Sequence, residues 1–160
     1  MFRRQLLTLL IGPGLIRQGM AATGISDAPH VQALALTDAD WKKRLSAQQY
    51  YVLRKEGTEA SHTSALNFEK RKGVYLCAGC DLPLFASETK FESGTGWPSF
   101  FTALPGAVDT KTDLFLIFPR TEYHCVRCGG HQGHVFGDGP KPTGKRYCNN
   151  GVALKFVAAA

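Results

Sequence analysis

With 160 residues, 44% of them hydrophobic and 20% charged, the chain has room for one domain with a real core but hardly for two. No stretch approaches the roughly 18 uninterrupted apolar residues of a membrane-spanning helix. The formal net charge of +6 comes from scattered lysines and arginines, with no run longer than Lys42-Lys43-Arg44 or Lys70-Arg71-Lys72. It reads as a solvated basic surface, and no nucleic-acid partner is expected.

Residues 1–21 differ in character from the rest. Arg3 and Arg4 precede Leu6, Leu7, Leu9, Leu10 and Ile11, a Gly12-Pro13-Gly14 break follows, and Gly19-Met20-Ala21 supplies a small-x-small pattern. A basic start, a short apolar stretch and small residues read as an export signal of twin-arginine-like type, and so a periplasmic destination. The alternative is an N-terminal arm on a cytoplasmic protein. Residues 22–36 lack a sustained period and read as a linker, which starts the domain at Thr37 and runs it to 158.

Thr37, Asp38 and Asp40 stand ahead of Trp41 and Leu45, and Ser46-Ala47-Gln48-Gln49 has the Ser-x-x-Gln form of a capping box. Two short helices are expected, the second ending near Gly57. After Gly73 come short β-branched and aromatic segments broken by Gly, Pro and Asp: Val74 to Leu76, Leu114 to Phe118, Glu122 to Val126, His134 to Phe136 and Val152 to Val157. In the last, Val152, Leu154 and Phe156 are expected to face the core, with Ala153 and Lys155 facing water. The fold class is mainly β, antiparallel, with short helices at its start.

The five cysteines fall as Cys77-x-x-Cys80, then 44 intervening residues, then Cys125-x-x-Cys128, with Cys148 alone. A two-residue gap lets a tight turn aim two sulfurs at one ion, and two such knuckles make a closed zinc site. Two local disulfides or Cys-x-x-Cys redox chemistry are the competing readings. A zinc held by four thiolates has no open position, so it serves structure and leaves catalysis to other groups.

If Arg146 to Asn150 is extended, Arg146, Cys148 and Asn150 share one face. A guanidinium beside the sulfur favours thiolate, the nucleophilic form. The competing reading makes Cys148 a small buried hydrophobe. His131 and His134 follow the second knuckle and suit proton transfer near neutral pH, unless they merely support the knuckle. Trp97, between Gly96 and Pro98, is either a core plug or a wall for an apolar ligand group.

Taken together, these segments resemble the methionine-R-sulfoxide reductase B family from about Leu45 to Phe156. The matching motifs, in order, are Gln49-Tyr50, Gly57-Thr58-Glu59, Tyr75-x-Cys77-x-x-Cys80, Pro83-Leu84-Phe85 and Ser93-Gly94-x-Gly96-Trp97-Pro98-Ser99-Phe100. Then come Cys125-x-x-Cys128-Gly129-Gly130-His131-x-Gly133-His134-Val135-Phe136 and Arg146-Tyr147-Cys148-x-Asn150. The resemblance implies two small antiparallel sheets with a structural zinc on Cys77, Cys80, Cys125 and Cys128. It implies a peptide-methionine (R)-S-oxide reductase in which Cys148 attacks the sulfoxide sulfur, His134 donates a proton to the departing oxygen, and His131 and Asn150 assist. Trp97 holds the substrate methyl group, with Phe136 and Arg146 also counted among the substrate-binding residues. The enzyme product is a sulfenic acid on Cys148.

Thr95 stands where many family members carry a resolving cysteine, and no other free cysteine exists. A single-cysteine cycle is therefore expected, recycled by thioredoxin or a small thiol, in a monomer. Ala60-Ser61-His62 and Asp81 also depart from the family pattern. Two rival functions are a non-catalytic zinc-ribbon-like binding module and a zinc-bearing thiol enzyme acting on another oxidant such as a peroxide.

Overall fold

The protein is described by a computed structural model over residues 31–114 and 119–160. The export-signal reading of 1–21 lies outside the described residues, as does most of the linker. Where the expected linker is described, Val31, Leu34 and Leu36 pack against the core, and Leu34 donates its N–H to the Arg127 carbonyl at 2.6 Å.

Both expected helices form. Helix α1 (Asp38–Arg44) is capped by the Thr37 hydroxyl and buries Trp41. Helix α2 (Ala47–Lys55) carries the full capping box, Ser46 accepting from the Gln49 N–H and Gln49 accepting from the Ser46 N–H. It ends at Glu56 in a left-handed conformation and buries Val52 and Leu53.

The strands are β1 (Gly73–Cys77), β2 (Pro83–Ala86), β3 (Lys90–Phe91), β4 (Ser99–Phe100), β5 (Val108–Asp113), β6 (Arg120–Cys125), β7 (His131–Phe136), β8 (Arg146–Asn149) and β9 (Leu154–Ala158). They form two antiparallel sheets, one ordered β2-β1-β9 and the other β3-β4-β8-β7-β6-β5. The mainly β class, the two sheets and the short helices at the start agree with the sequence reading. Tyr75 and Phe85 from the smaller sheet meet Phe100, Tyr123 and Tyr147 from the larger. Phe85 stacks on Phe100 with centroids 4.2 Å apart, and Tyr75 meets Phe100 edge-on at 4.9 Å. Large rings with little conformational freedom fill this layer, and they make up much of the buried apolar volume.

Two details depart from expectation. Of the strand expected at Leu114 to Phe118, Leu114 lies outside any strand and 115–118 lie outside the described residues, while an unexpected strand runs Val108–Asp113. As an edge strand exposed along most of its length, it carries Asp, Thr and Lys instead of the apolar alternation that marks a buried strand. Ahead of β9 a 3₁₀ turn over Gly151–Ala153 breaks the period, so Ala153 is fully buried instead of facing water. Two departures from the family pattern fall at positive φ: His62 at 65° and Asp81 at 60°, conformations that aspartate tolerates better than most side chains.

Candidate active site and metal centre

Strand β8 lies between β4 and β7, so Cys148 is flanked on both sides. Register sets Ser99 of β4 opposite it on one side and His134 of β7 on the other. Opposed residues of an antiparallel pair project to the same face, so the thiol and the imidazole are neighbours there. Arg146, two residues along and opposed to Phe136, joins them. The two strands close tightly because Gly133 has no side chain: a Cβ there would stand 1.9 Å from the Cys148 carbonyl oxygen.

Cys148, His134, Phe136 and Gly133 line a cavity of about 170 Å³ together with Trp97, Thr58, Arg120, Asn149 and Asn150; Arg146, expected among the substrate-binding residues, is not part of this lining. Trp97 is half-buried, and its Nε1–H donates to the Glu59 carbonyl at 3.1 Å, which fixes the indole as a wall. Arg146 forks onto Asp138 through two bonds of 2.8 Å and lies 4.3 Å from the centre of the Phe136 ring. Buried Asn150 accepts from the Glu59 N–H at 2.9 Å and donates to the Gln132 carbonyl at 2.9 Å, so both ends of its amide are committed to backbone. His131 does not line this cavity. It borders an adjoining cleft of about 410 Å³, which shares Thr58, Arg120 and His134 with it.

The electrostatics correct one sequence expectation. Burial pushes the Cys148 thiol above the usual cysteine range, and the opposing pull of Arg146 and the Thr95 hydroxyl does not overcome it. The resting group is a thiol. Burial likewise lowers His134 below the ordinary histidine value, ahead of the opposing bond from its Nε2 to Asp113 Oδ2 at 2.8 Å.

The sequence reading gave no role to Asp113, Glu122 or Glu59. Asp113 pairs with both His134 and Arg120, and buried Glu122 bonds His131 and His124. Glu59 accepts the N–H groups of Gly151 and Val152 at 2.5 and 2.9 Å. A charged residue inside an apolar strand pattern was the available signal for Glu122. Glu59 reaches across 92 positions of sequence, and no local pattern marks that contact.

All five cysteines are unbonded to one another. Cys77, Cys80, Cys125 and Cys128 are buried with their sulfurs mutually within 4.8 Å, and they form the one group among the described residues able to ligate a metal. Cys77 and Cys128 stand 3.7 Å apart and Cys80 and Cys125 3.5 Å, far beyond a disulfide bond of about 2.05 Å. Hydrogen bonds led by that from Cys125 hold Cys80 and Cys128 below the ordinary thiol range, while Cys77 and Cys125 are pushed well above it. A soft cation is what lets four sulfurs this close ionise together. Gln132 Nε2 donates to Cys77 Sγ at 3.4 Å and so ties the cluster to β7, the strand that carries both site histidines.

The SelR domain profile matches residues 45–158. The chain belongs to the SelR-domain family. It is 53% identical over 121 residues to a peptide methionine sulfoxide reductase MsrB of Leptospira interrogans, covering 75% of this chain and 92% of that one. It is 46% identical over 160 residues to the mitochondrial methionine-R-sulfoxide reductase B2 of Rattus norvegicus, covering 94% and 91%. Against the chloroplastic peptide methionine sulfoxide reductase B1 of Arabidopsis thaliana it is 50% identical over 135 residues, 84% of this chain but 67% of that one, and the match spans 58% of the corresponding rice protein.

The thiol chemistry of this SelR-domain chain is open to direct measurement. Iodoacetamide alkylation of Cys148 should accelerate with pH through a midpoint above 9.0, and Arg146→Met should move that midpoint higher by removing the guanidinium. A midpoint below 9.0 in the unmodified protein contradicts the burial argument.

Proposed function

We propose that this protein reduces the R epimer of methionine sulfoxide, free or peptide-bound, to methionine by transferring the sulfoxide oxygen to Cys148. The observation that carries the reading is the register of Cys148 opposite His134, in a cavity whose other walls are Trp97 and Phe136. Relatives named as methionine sulfoxide reductases, one of them named for the R epimer, supply the substrate class. A binding module without catalysis would leave this thiol and its cavity with no use.

In the first step the Cys148 sulfur bonds to the sulfoxide sulfur as His134 takes the thiol proton and passes it to the sulfoxide oxygen. The hydroxyl then moves from the substrate sulfur to Cys148 as the sulfur–oxygen bond and the new sulfur–sulfur bond both break and the thioether leaves. The balance is a thiol and a sulfoxide giving a sulfenic acid and a thioether, with cysteine sulfur oxidised by two electrons and substrate sulfur reduced by two. Trp97 and Phe136 supply apolar surface for the substrate's methyl and thioether end. Arg146 favours the developing thiolate, and Asn150 holds the Glu59 segment that anchors Trp97. With Thr95 at the position of a resolving cysteine, thioredoxin or a small thiol attacks the sulfenic sulfur and releases water, and a second thiol frees Cys148.

Zinc is the proposed occupant of the four-cysteine cluster. Tetrahedral bonds of about 2.3 Å set neighbouring sulfurs about 3.8 Å apart, close to the separations of 3.7 and 3.5 Å here. With four thiolates it would stabilise the fold and take no part in oxygen transfer. Metal analysis should find one zinc per chain, and Cys80→Ser should lose it and unfold at markedly lower temperature. A stably folded wild-type protein free of metal contradicts the assignment.

Steady-state turnover of dabsylated R and S sulfoxides with dithiothreitol tests the activity. Only the R epimer should turn over, and Cys148→Ser should lose about 10³-fold or more. Thiol with neutral imidazole and thiolate with imidazolium carry the same number of protons, so both give one pH profile. That profile should be flat from below 6.5, where His134 protonates, to above 9.0, where Cys148 ionises. Full activity in Cys148→Ser removes the proposal.

A further inference from the structure

The sheet face that carries His134 holds a second buried arrangement outside the Cys148 cavity. Glu122 on β6 is only 2% exposed, and both carboxylate oxygens are used. Oε1 accepts from His131 Nδ1 at 2.7 Å, and Oε2 lies 3.1 Å from His124 Nδ1. Register explains the grouping, since Glu122 is opposed to Lys111 and to His134, while a bulge brings His124 opposite His131. The remaining charged groups facing this cluster are Lys55 of α2, Glu56 at its C-terminal cap, Asp113 at the end of β5 and Arg120 of β6. Lys111 is paired with Glu56, and Arg120 and His134 with Asp113, so the ion-pair partners of Glu122 among the described residues are its two imidazoles.

Burial raises the Glu122 carboxyl, but the bonds from His131 and His124 outweigh it and leave the group ionised. A carboxylate can only accept, so the proton of neutral His131 sits on Nδ1 and its Nε2 carries a lone pair. That Nε2 is buried and has no hydrogen-bond partner among the described residues. The His131 ring lies 5.5 Å, centroid to centroid, from that of His134. A buried imidazole acceptor backed by a carboxylate, beside the residue that moves the proton, is more than strand packing requires.

We infer that Glu122 is a positioning residue for the reductase reaction: it acts through His131, holding that imidazole as the Nδ1–H tautomer and stabilising positive charge on it while His134 exchanges its proton. The inference rests on the proposed reductase activity for its kinetic consequence, but not for its tautomer consequence. A carboxylate behind an imidazole fixes both the tautomer and the readiness to take a proton. His124, reaching the second oxygen, holds the carboxylate in place.

The test begins with ¹⁵N-resolved NMR of the wild-type histidines, which should give His131 as the Nδ1–H tautomer and needs no variant. Glu122→Gln keeps the shape and removes the charge. It should lower kcat for R-sulfoxide about tenfold or more, with KM within about twofold. In a His131→Ala background the same change should add nothing, because its effect runs through that ring. Protonation of wild-type His131 on Nε2, unchanged kcat in Glu122→Gln, or losses that multiply in the double variant would each overturn the inference. Wild-type protein inert toward R-sulfoxide would sink the reductase reading instead, and the tautomer would still decide the role of Glu122.

Discussion

Two reverse turns, Cys77 to Cys80 and Cys125 to Cys128, meet sulfur to sulfur, and that meeting holds the architecture in register. Cys77 ends β1 in the smaller sheet and Cys125 ends β6 in the larger, so the cluster fastens one sheet to the other at their ends. The aromatic layer of Tyr75, Phe85, Phe100 and Tyr123 then fills the space between them. Closing a connection of 44 residues costs chain entropy, and a domain this small has limited apolar burial to offset it. Gln132 carries the constraint onward, bonding Cys77 with its side chain while its carbonyl accepts from Asn150. The cluster thus touches β7 without lining the Cys148 cavity.

The site itself separates charge sparingly. Burial keeps Cys148 as a thiol and His134 as a neutral imidazole, so in the proposed reaction the proton required at the sulfoxide oxygen starts on the Cys148 sulfur. Arg146 moderates the cost of forming thiolate, but much of its charge is spent on Asp138. In the proposed reaction the proton passes through His134, which bonds Asp113 at 2.8 Å and stands opposite Cys148 in register.

Features set by neighbours in sequence were legible. The capping box at Ser46 and Gln49, the cap at Thr37, the two cysteine knuckles, and the shared face of Arg146 and Cys148 all follow from spacing within a few residues. Features set by distant partners were not. Glu59 meets the segment after Cys148 across more than ninety residues, and Asp113 reaches His134 only because β5 and β7 lie on either side of β6. The β5 strand hid behind its polar edge sequence. The ionisation of Cys148 was misjudged for the same kind of reason: Arg146 is visible two residues away, whereas the depth of burial that outweighs it is a property of the whole fold.

In the proposed reaction everything turns on where the substrate oxygen goes. Mass spectrometry of the protein after a single turnover with one equivalent of R-sulfoxide and no added thiol measures this directly. Oxygen transfer to Cys148 predicts one dimedone-trappable sulfenic acid at that residue, with the other four cysteines unchanged. A disulfide joining Cys148 to any of those four, or a thiol left intact after methionine has formed, would contradict it.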